Sequence, residues 1–171
     1  RPLAALLEHS QALLAKDEFA QYHSRRAPKH KLYFAADASM KTGAGVTLAV
    51  SGGEVLYIRD WNKSEQTLSI NVLEVIALVE TMKHAMPEIN RLVKEEGCHR
   101  DEVACYFGED NVACLIQASL FFSGKDLMAC GMLYDLWSLL DGVGFHVFYI
   151  NTLLQPADAP SRRQDCSTTE W

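Results

Sequence analysis

Three short runs of strand-forming residues follow one another between residues 31 and 61, with only turns between them. In chain order they are KLYFAAD, AGVTLAVS and EVLYIRDW. Gly43 and Gly45 lie at the first turn and Gly52 and Gly53 at the second, where glycine is typical of tight connections between strands. The pattern predicts an antiparallel meander of three strands.

The rest of the chain alternates between helix and strand. INVLEVIALVETMKHAM has its apolar residues at helical spacing, and Pro87 then breaks or kinks that helix, so residues 87–97 form a second helix or an extension of the first. The patterns predict further strands in DEVACYFGED and FHVFYIN and further helices in NVACLIQASLFF and KDLMACGMLYDLWSLLDGVG, with a loop or short helix in QPADAPSRR. A meander followed by strand–helix–strand units predicts an α/β domain with a mixed sheet and helices on its faces.

The N-terminal segment is predicted to be separate from this domain. Residues 3–22 carry one apolar stripe at helical spacing, and SRRAPKHK then ends the pattern with Pro28 and a group of positive charges. We expect residues 1–28 to form a helix and linker, and residues 29–171 to form the sheet domain. Because the chain begins at Arg1 without a methionine, we expect it to be a piece of a longer protein.

Composition limits the class of protein. Hydrophobic residues make up 49% of the 171 residues and charged residues 22%, as in soluble globular proteins. No apolar run approaches the ~18 residues of a membrane span, and no signal peptide is present, so we expect an intracellular protein, cytoplasmic or nuclear, without a membrane partner. The five cysteines include no CxxC pair, which favours reduced buried thiols over a zinc site or disulfides.

The formal net charge of −6 argues against a nucleic-acid partner when it is taken alone. Two divalent cations would cancel the charge of four carboxylates, however, so the net charge is weak evidence. The distribution of the acidic residues along the chain is more informative than their sum.

Four acidic residues lie where a mixed sheet could bring them together. They are Asp37, Glu74, Asp110 and Asp158. Each has an ordinary alternative: Asp37 as a turn residue, Glu74 on the exposed edge of its helix near the N-terminus, Asp110 as a helix N-cap, and Asp158 as a loop acid. Glu109, beside Asp110, is expected to be solvated.

The four positions together favour a shared site. Asp37 and Asp110 end predicted strands, and if those strands are neighbours the two carboxylates emerge side by side at the carboxyl edge of the sheet. Glu74, on the helix that connects them, can lean toward the same edge, and Asp158 follows the last strand. Such a cluster repels itself unless protons or cations neutralise it, and ligands that are all oxygen select hard ions such as Mg²⁺ or Mn²⁺.

Four short motifs then resemble a known family. ADAS, INVLE, EDN and PADAPSR, in this order and at these spacings, resemble the ribonuclease H domain of retroelement reverse transcriptases, most of all those of tyrosine-recombinase (DIRS-like) elements. The resemblance covers residues 31–163 and implies a ribonuclease H-like fold, a five-stranded mixed sheet of order 3-2-1-4-5 with helices on both faces. Gln155 and Pro160 depart from the family pattern, which has Asn and Leu near these positions.

The resemblance also implies a function and a site. The activity would be hydrolysis of the RNA strand of RNA/DNA hybrids with two Mg²⁺ or Mn²⁺ ions, next to an upstream reverse transcriptase domain. The catalytic, metal-binding residues would be Asp37, Glu74, Asp110 and Asp158. The substrate-binding residues would be Asn71, Asn111 and Ser39.

Two other functions remain open from the sequence. Integrases, transposases and junction resolvases share this kind of sheet and act on DNA. A ribonuclease H-like scaffold that binds protein partners with weak or no catalysis is the second. The presence of all four acids favours a nuclease over a scaffold, and a substrate panel would separate the two nuclease classes.

Overall fold

The computed structural model describes residues 27–40, 43–49 and 54–162. The N-terminal helix predicted from the sequence therefore lies outside the described residues, as does Cys166. The strands of the described part are β1 His30–Ser39, β2 Gly43–Ala49, β3 Glu54–Arg59, β4 Val103–Glu109 and β5 Gly144–Tyr149. The α-helices are α1 Ile70–Glu95, α2 Val112–Leu120, α3 Leu127–Leu139 and α4 Asp158–Ser161.

One mixed sheet contains these strands, in the order β3–β2–β1–β4–β5. The meander β1–β2–β3 is antiparallel, whereas β4 pairs parallel with both β1 and β5. β1 therefore lies at the centre, where the antiparallel half meets the parallel half. The connection from β3 to β4 runs through α1, which crosses the sheet and places its first turn near the end of β1.

The hydrophobic core lies between one face of the sheet and the helices α1, α2 and α3. Side chains alternate along β1 and β4, so Leu32 and Phe34 enter the core from β1, and Cys105 and Phe107 enter it from β4. Buried side chains face the core along nearly the whole length of α1. Its fully buried large side chains are Leu73, Val75, Leu78, Val79, Met82 and Ile89.

Pro87 lies inside α1 and does not end it, so the extension is the correct one of the two alternatives. A proline costs a helix one backbone hydrogen bond. Ala85, Ile89 and Leu92, on both sides of Pro87, are all buried in the same core. The burial of these apolar side chains on both sides of Pro87 offsets the lost hydrogen bond, and the helix therefore continues past the proline.

The opposite face of the sheet carries a row of aromatic rings and the short helix α4. Tyr33 stacks on Tyr106 with ring centroids 5.2 Å apart, and Tyr106 stacks on His146 at 4.9 Å. α4 contacts β1, β2 and β3. Because Asp37 lies on the same face as Tyr33 by alternation, α4 reaches the sheet beside that carboxyl group.

Four of the five cysteines lie in the described part of the chain. Cys98, Cys105, Cys114 and Cys130 are buried free thiols, as predicted. Across the described ranges, no helix is both long and apolar enough to cross a bilayer.

Candidate active site

A cavity of about 670 Å³ opens at the carboxyl ends of β1 and β4. Segments that are distant in sequence meet there: the end of β1, the start of α1, the loop after β4, and the region of α4. All four predicted acids line it, together with Ser39 and Asn111. The remaining lining residues are Ala38, Met40, Thr152 and Arg162.

Asp37 lies within β1, where its backbone is paired with Gly45 of β2. The turn alternative for this residue is therefore wrong. Its side chain is buried, and Ser161 Oγ donates a hydrogen bond to its Oδ2 atom. Burial raises the pKa of the Asp37 carboxyl, the Ser161 hydrogen bond acts in the opposite direction, and the charges of Asp110 and Asp158 raise it further.

Glu74 lies on the buried side of α1, only 4% exposed, so the exposed-edge alternative is also wrong. Its Oε2 atom accepts a hydrogen bond from the backbone N–H of Ala38 at 3.1 Å, which ties the start of α1 to the end of β1. Burial, followed by repulsion from Glu109, Asp37 and Asp110, raises the pKa of Glu74 to about 10. A carboxyl group in this position is neutral at pH 7 unless a cation compensates it.

Asp110 follows β4 directly and is half-buried at the cavity wall. It does not cap α2, contrary to the N-cap alternative, because Asn111 has that role. Asn111 Oδ1 accepts hydrogen bonds from the backbone N–H groups of Ala113 at 3.0 Å and Cys114 at 3.2 Å. Because Asn111 provides the cap, the Asp110 carboxyl group is not needed for it and lines the cavity.

Glu109 is fully buried, so the expectation that it is solvated is wrong. Its Oε1 atom accepts the backbone N–H of Asn111 at 2.9 Å, and the Cys114 thiol also hydrogen-bonds to this carboxyl group. Burial raises the pKa of Glu109 to about 8. Alternation along β4 could have revealed this position, because Glu109 is two residues after Phe107 and shares its core-facing register.

Asp158 is the first residue of α4, and its Oδ1 atom lies 2.6 Å from Nη2 of Arg162 in an ion pair. The loop before α4 is attached to β1 by Gln155, whose Nε2 atom donates to the backbone carbonyl of Ala36 at 3.1 Å. The glutamine that departs from the family pattern thus fixes the approach to Asp158 next to Asp37. Arg162 lines the cavity as well, and no sequence pattern indicated it as a site residue.

The candidate substrate contacts lie around the rim. Asn71, in the first turn of α1, is exposed and accepts a hydrogen bond at Oδ1 from Asn111 Nδ2 at 3.2 Å. Asn71 does not line the cavity itself and joins the rim through Asn111. Ser39 ends β1, and its carbonyl accepts the indole N–H of Trp61 at 2.7 Å.

The carboxylates are close to one cavity but are not gathered into a coordination shell. Within residues 27–40, 43–49 and 54–162, no three Asp, Glu, His or Cys side chains are placed so that they could hold one metal ion. Three of the four acids have separate protein partners: the Ser161 hydroxyl for Asp37, the Ala38 N–H for Glu74, and the Arg162 guanidinium for Asp158.

The donor chemistry of the cavity nevertheless fits a hard divalent cation. The lining side chains supply carboxylates and neutral oxygens, and no histidine or cysteine of the described chain is among them. Burial raises the pKa of both Asp37 and Glu74, and a bound cation would compensate the charge that burial disfavours. The residues therefore fit Mg²⁺ or Mn²⁺ if the acids exchange their present partners for the ion.

The fold is similar to those of two solved ribonucleases H1. Ribonuclease H1 from the halophilic archaeon Halobacterium salinarum NRC-1 has a TM-score of 0.49 and 13% sequence identity, over 74% of this chain and 90% of that one. LC11-RNase H1, isolated from compost by a metagenomic approach, has a TM-score of 0.50 and 14% identity, over 78% of this chain and 89% of that one. The sequence matches no protein-family model and no curated protein. The second similarity shows that the described domain has a ribonuclease H-like α/β fold.

Proposed function

We propose that this ribonuclease H-like domain hydrolyses the RNA strand of RNA/DNA hybrids with two bound Mg²⁺ or Mn²⁺ ions. The observation that supports the proposal is the convergence of Asp37, Glu74, Asp110 and Asp158, from four separate segments, on one cavity at the carboxyl edge of the sheet. The four motifs around these acids further support a retroelement reverse transcriptase of the DIRS-like type as the parent protein. An upstream reverse transcriptase domain is then the expected partner.

The roles of the acids follow from their positions. When bound, divalent cations activate the attacking water and stabilise the leaving 3′ oxygen of the phosphate. Asp37 is central, because the charges of both Asp110 and Asp158 act on it, and it would serve as a ligand together with either of them. Glu74 and Asp110 would hold one ion with Asp37, and Asp158 would hold the other.

Recognition of RNA would fall to the neutral groups at the rim. The Asn111 and Asn71 side chains and the Ser39 hydroxyl can donate and accept hydrogen bonds. A 2′-hydroxyl group also does both, and DNA lacks it, so these residues can distinguish an RNA strand. Their attachment to the start of α1, the cap of α2 and the end of β1 fixes them relative to the acids.

The test is a nuclease assay on an RNA/DNA hybrid, double-stranded RNA and double-stranded DNA, each with and without Mn²⁺. We expect Mn²⁺-dependent cutting of the RNA strand of the hybrid alone. Asp110→Asn should abolish cutting and leave the fold intact, because Asp110 is half-buried and does not cap α2. The matched control is Asp135→Asn, an exposed acid on α3, which should cut as the wild type does. Full activity of Asp110→Asn would refute the assignment.

A binding role without catalysis is a second candidate, because one observation favours it. In this structure Asp37, Glu74 and Asp158 are each held by a protein partner, which a scaffold could retain permanently. A protein of this kind would show no thermal stabilisation by Mn²⁺ and no cutting of any substrate in the panel. Cutting of duplex or branched DNA in place of the hybrid would instead support an integrase-like or resolvase-like nuclease.

A further inference from the structure

The cavity is strongly acidic, although the proposed substrate is a nucleic acid and is itself negatively charged. Four acids line it, and Arg162 is the only basic side chain among the lining residues of the described chain. Two bound divalent ions would neutralise the acids and leave Arg162 as a net positive charge at the wall. A nucleic acid presents a phosphate at every nucleotide, so a cation beside the cavity has a natural ligand.

The backbone holds Arg162 at a defined place. Its backbone N–H donates to the carbonyl of Asp158 at 3.2 Å, which closes the last turn of α4. Ser161, the residue before it, is buried and hydrogen-bonded to Asp37 on β1. The backbone of Arg162 is therefore fixed next to the central strand β1, close to Asp37.

The Arg162 side chain is accessible. It is 55% exposed, and an ion pair joins its Nη2 atom to Asp158 Oδ1 at 2.6 Å. Asp158 is half-buried, but Arg162 is the exposed member of the pair. Ion pairs that solvent reaches contribute little, so the guanidinium can leave Asp158 at small cost when a better ligand arrives. A phosphate is such a ligand, because the planar guanidinium fork can bind two of its oxygens at once.

We propose that Arg162 is a phosphate-binding residue for the nucleic acid and that its pairing with Asp158 is the alternative it adopts without ligand. This rests on the proposed function. If Asp158 held a divalent ion, Arg162 would lose its partner, and its guanidinium would be free to bind a backbone phosphate next to the cavity. A bound metal ion would then raise the affinity for the nucleic acid, and a bound nucleic acid would raise the affinity for the metal ion, because each removes a competitor for the other's ligand.

The test compares Arg162→Gln with the wild type in two binding measurements. Hybrid affinity is measured by fluorescence anisotropy over a range of NaCl concentrations, in Ca²⁺ and in EDTA. In Ca²⁺, Arg162→Gln should bind the hybrid about ten-fold more weakly, since one charge-assisted contact is lost. The slope of log affinity against log salt should be shallower by about 0.9, the value for one phosphate contact. In EDTA, where Asp158 still competes for Arg162, the difference should be smaller.

The second measurement is Mn²⁺ affinity without nucleic acid, by calorimetry. Removal of the competing guanidinium should tighten Mn²⁺ binding by up to about five-fold, because an exposed ion pair contributes no more than that. A residue that merely holds α4 together would have the opposite effect, weaker Mn²⁺ binding and a lower melting temperature. Arg162→Lys should keep part of the salt slope, since a lysine retains the charge and loses the bidentate fork.

The control variant is Arg91→Gln. Arg91 is an exposed arginine paired with Glu88 at 2.8 Å on its own helix, as Arg162 is paired with Asp158. It lies 17 residues after Glu74 along α1, about 25 Å from that end of the helix. Arg91→Gln should leave the salt slope and the Mn²⁺ affinity unchanged.

The outcomes separate this inference from the proposed function. A wild-type protein that binds hybrid and cuts it, together with an Arg162→Gln variant of unchanged salt slope, would overturn the inference alone. Weaker Mn²⁺ binding by Arg162→Gln would also overturn it. A wild-type protein that binds neither Mn²⁺ nor hybrid would overturn the proposed function and the inference with it.

Discussion

Asn111 and Asn71 are joined by a hydrogen bond across 40 residues of sequence, with Nδ2 of Asn111 donating to Oδ1 of Asn71 at 3.2 Å. The other end of the Asn111 amide is already engaged, since its Oδ1 atom caps α2. The cap thus fixes which way the amide points and directs its N–H₂ group toward α1. The hydrogen bond thus joins the two asparagines at the rim, and it links the first turn of α1 to the N-terminus of α2.

Substitutions at Asn111 should separate its structural role from its role in binding. Asn111→Ala removes the cap and should lower the free energy of unfolding by about 1 kcal/mol. Asn111→Ser keeps a capping oxygen and should stay within about 0.5 kcal/mol of the wild type. Both lose the contact with Asn71, so both should bind the hybrid more weakly. The measurements are urea unfolding and hybrid anisotropy, and tight hybrid binding by Asn111→Ser would show that this amide has no part in recognition.

Much of the architecture was predictable because the hydrophobic pattern has a definite period in each segment. The runs of strand-forming residues and the short connections between them predicted the meander, and the acids at strand ends predicted a shared edge. The expectation that Gly43 and Gly45 form the first turn is wrong, because both lie within β2 and pair with β1. Gly52 and Gly53 lie outside the described residues. Pro87 left two alternatives that local propensity could not separate. Burial of the stripe on both sides of the proline decided between them, and burial depends on the whole fold.

The errors in the site have the same physical origin. Asp110 and Asn111 are both good N-cap residues, and only the backbone path after β4 determines that Asn111 is the cap. Glu109 was expected in solvent because charged side chains are rarely buried. Glu109 nevertheless points into the core, because it lies two residues after Phe107 on the same face of β4. The backbone N–H of Asn111 donates a hydrogen bond to its Oε1 atom. Arg162 was missed because its role depends on α4 lying against β1, which no local pattern indicates.

The stability of the metal-free protein should fall as pH rises. Burial raises the pKa of Glu74 to about 10 and that of Glu109 to about 8, against 4.5 for an ordinary glutamate. Above pH 4.5 the two glutamates lose their protons in the unfolded chain but keep them in the folded chain. Their contribution to the free energy of unfolding is therefore fully present below pH 4.5, and it is lost as the pH rises toward the pKa values of the folded protein. Between pH 6 and 8, one such group lowers the free energy of unfolding by up to about 2.7 kcal/mol.

Glu74→Gln should remove its share of that dependence, because glutamine does not ionise. In EDTA, the variant should show a shallower decline from pH 6 to 8 than the wild type, measured by urea unfolding at each pH. Glu95→Gln, an exposed position on the same helix, should decline as steeply as the wild type. A slope in Glu74→Gln as steep as that of the wild type would show that Glu74 ionises freely in the folded protein.

Divalent cations should reverse this pH effect. Metal ligands must be deprotonated, so Mn²⁺ competes with protons for Asp37 and Glu74 and binds more tightly at pH 8 than at pH 6. At 100 times its dissociation constant the ion should add about 2.7 kcal/mol to the free energy of unfolding. Thermal melts at both pH values, with and without Mn²⁺, measure this. An equal shift of the melting temperature in Asp37→Asn and the wild type would place the bound ion elsewhere.

Ser161 should stabilise the fold through its contact with Asp37. Its hydroxyl donates to Asp37 Oδ2 and lies 2.9 Å from the Asp158 carbonyl, and the side chain is fully buried. Ser161→Ala leaves Asp37 without this donor inside the protein. A buried acceptor that loses its donor costs about 1–3 kcal/mol, so the free energy of unfolding in EDTA should fall by that amount.

The matched control is Ser119→Ala on α2, where an exposed hydroxyl donates to the carbonyl of Ile116 at 2.9 Å. Solvent can replace that hydrogen bond, so the loss should stay within about 0.5 kcal/mol. The contrast tests whether the Ser161–Asp37 bond attaches α4 to the central strand. If Ser161→Ala is no less stable than Ser119→Ala, then Gln155 and the packing around α4 hold the helix in place, and Asp37 does not depend on Ser161.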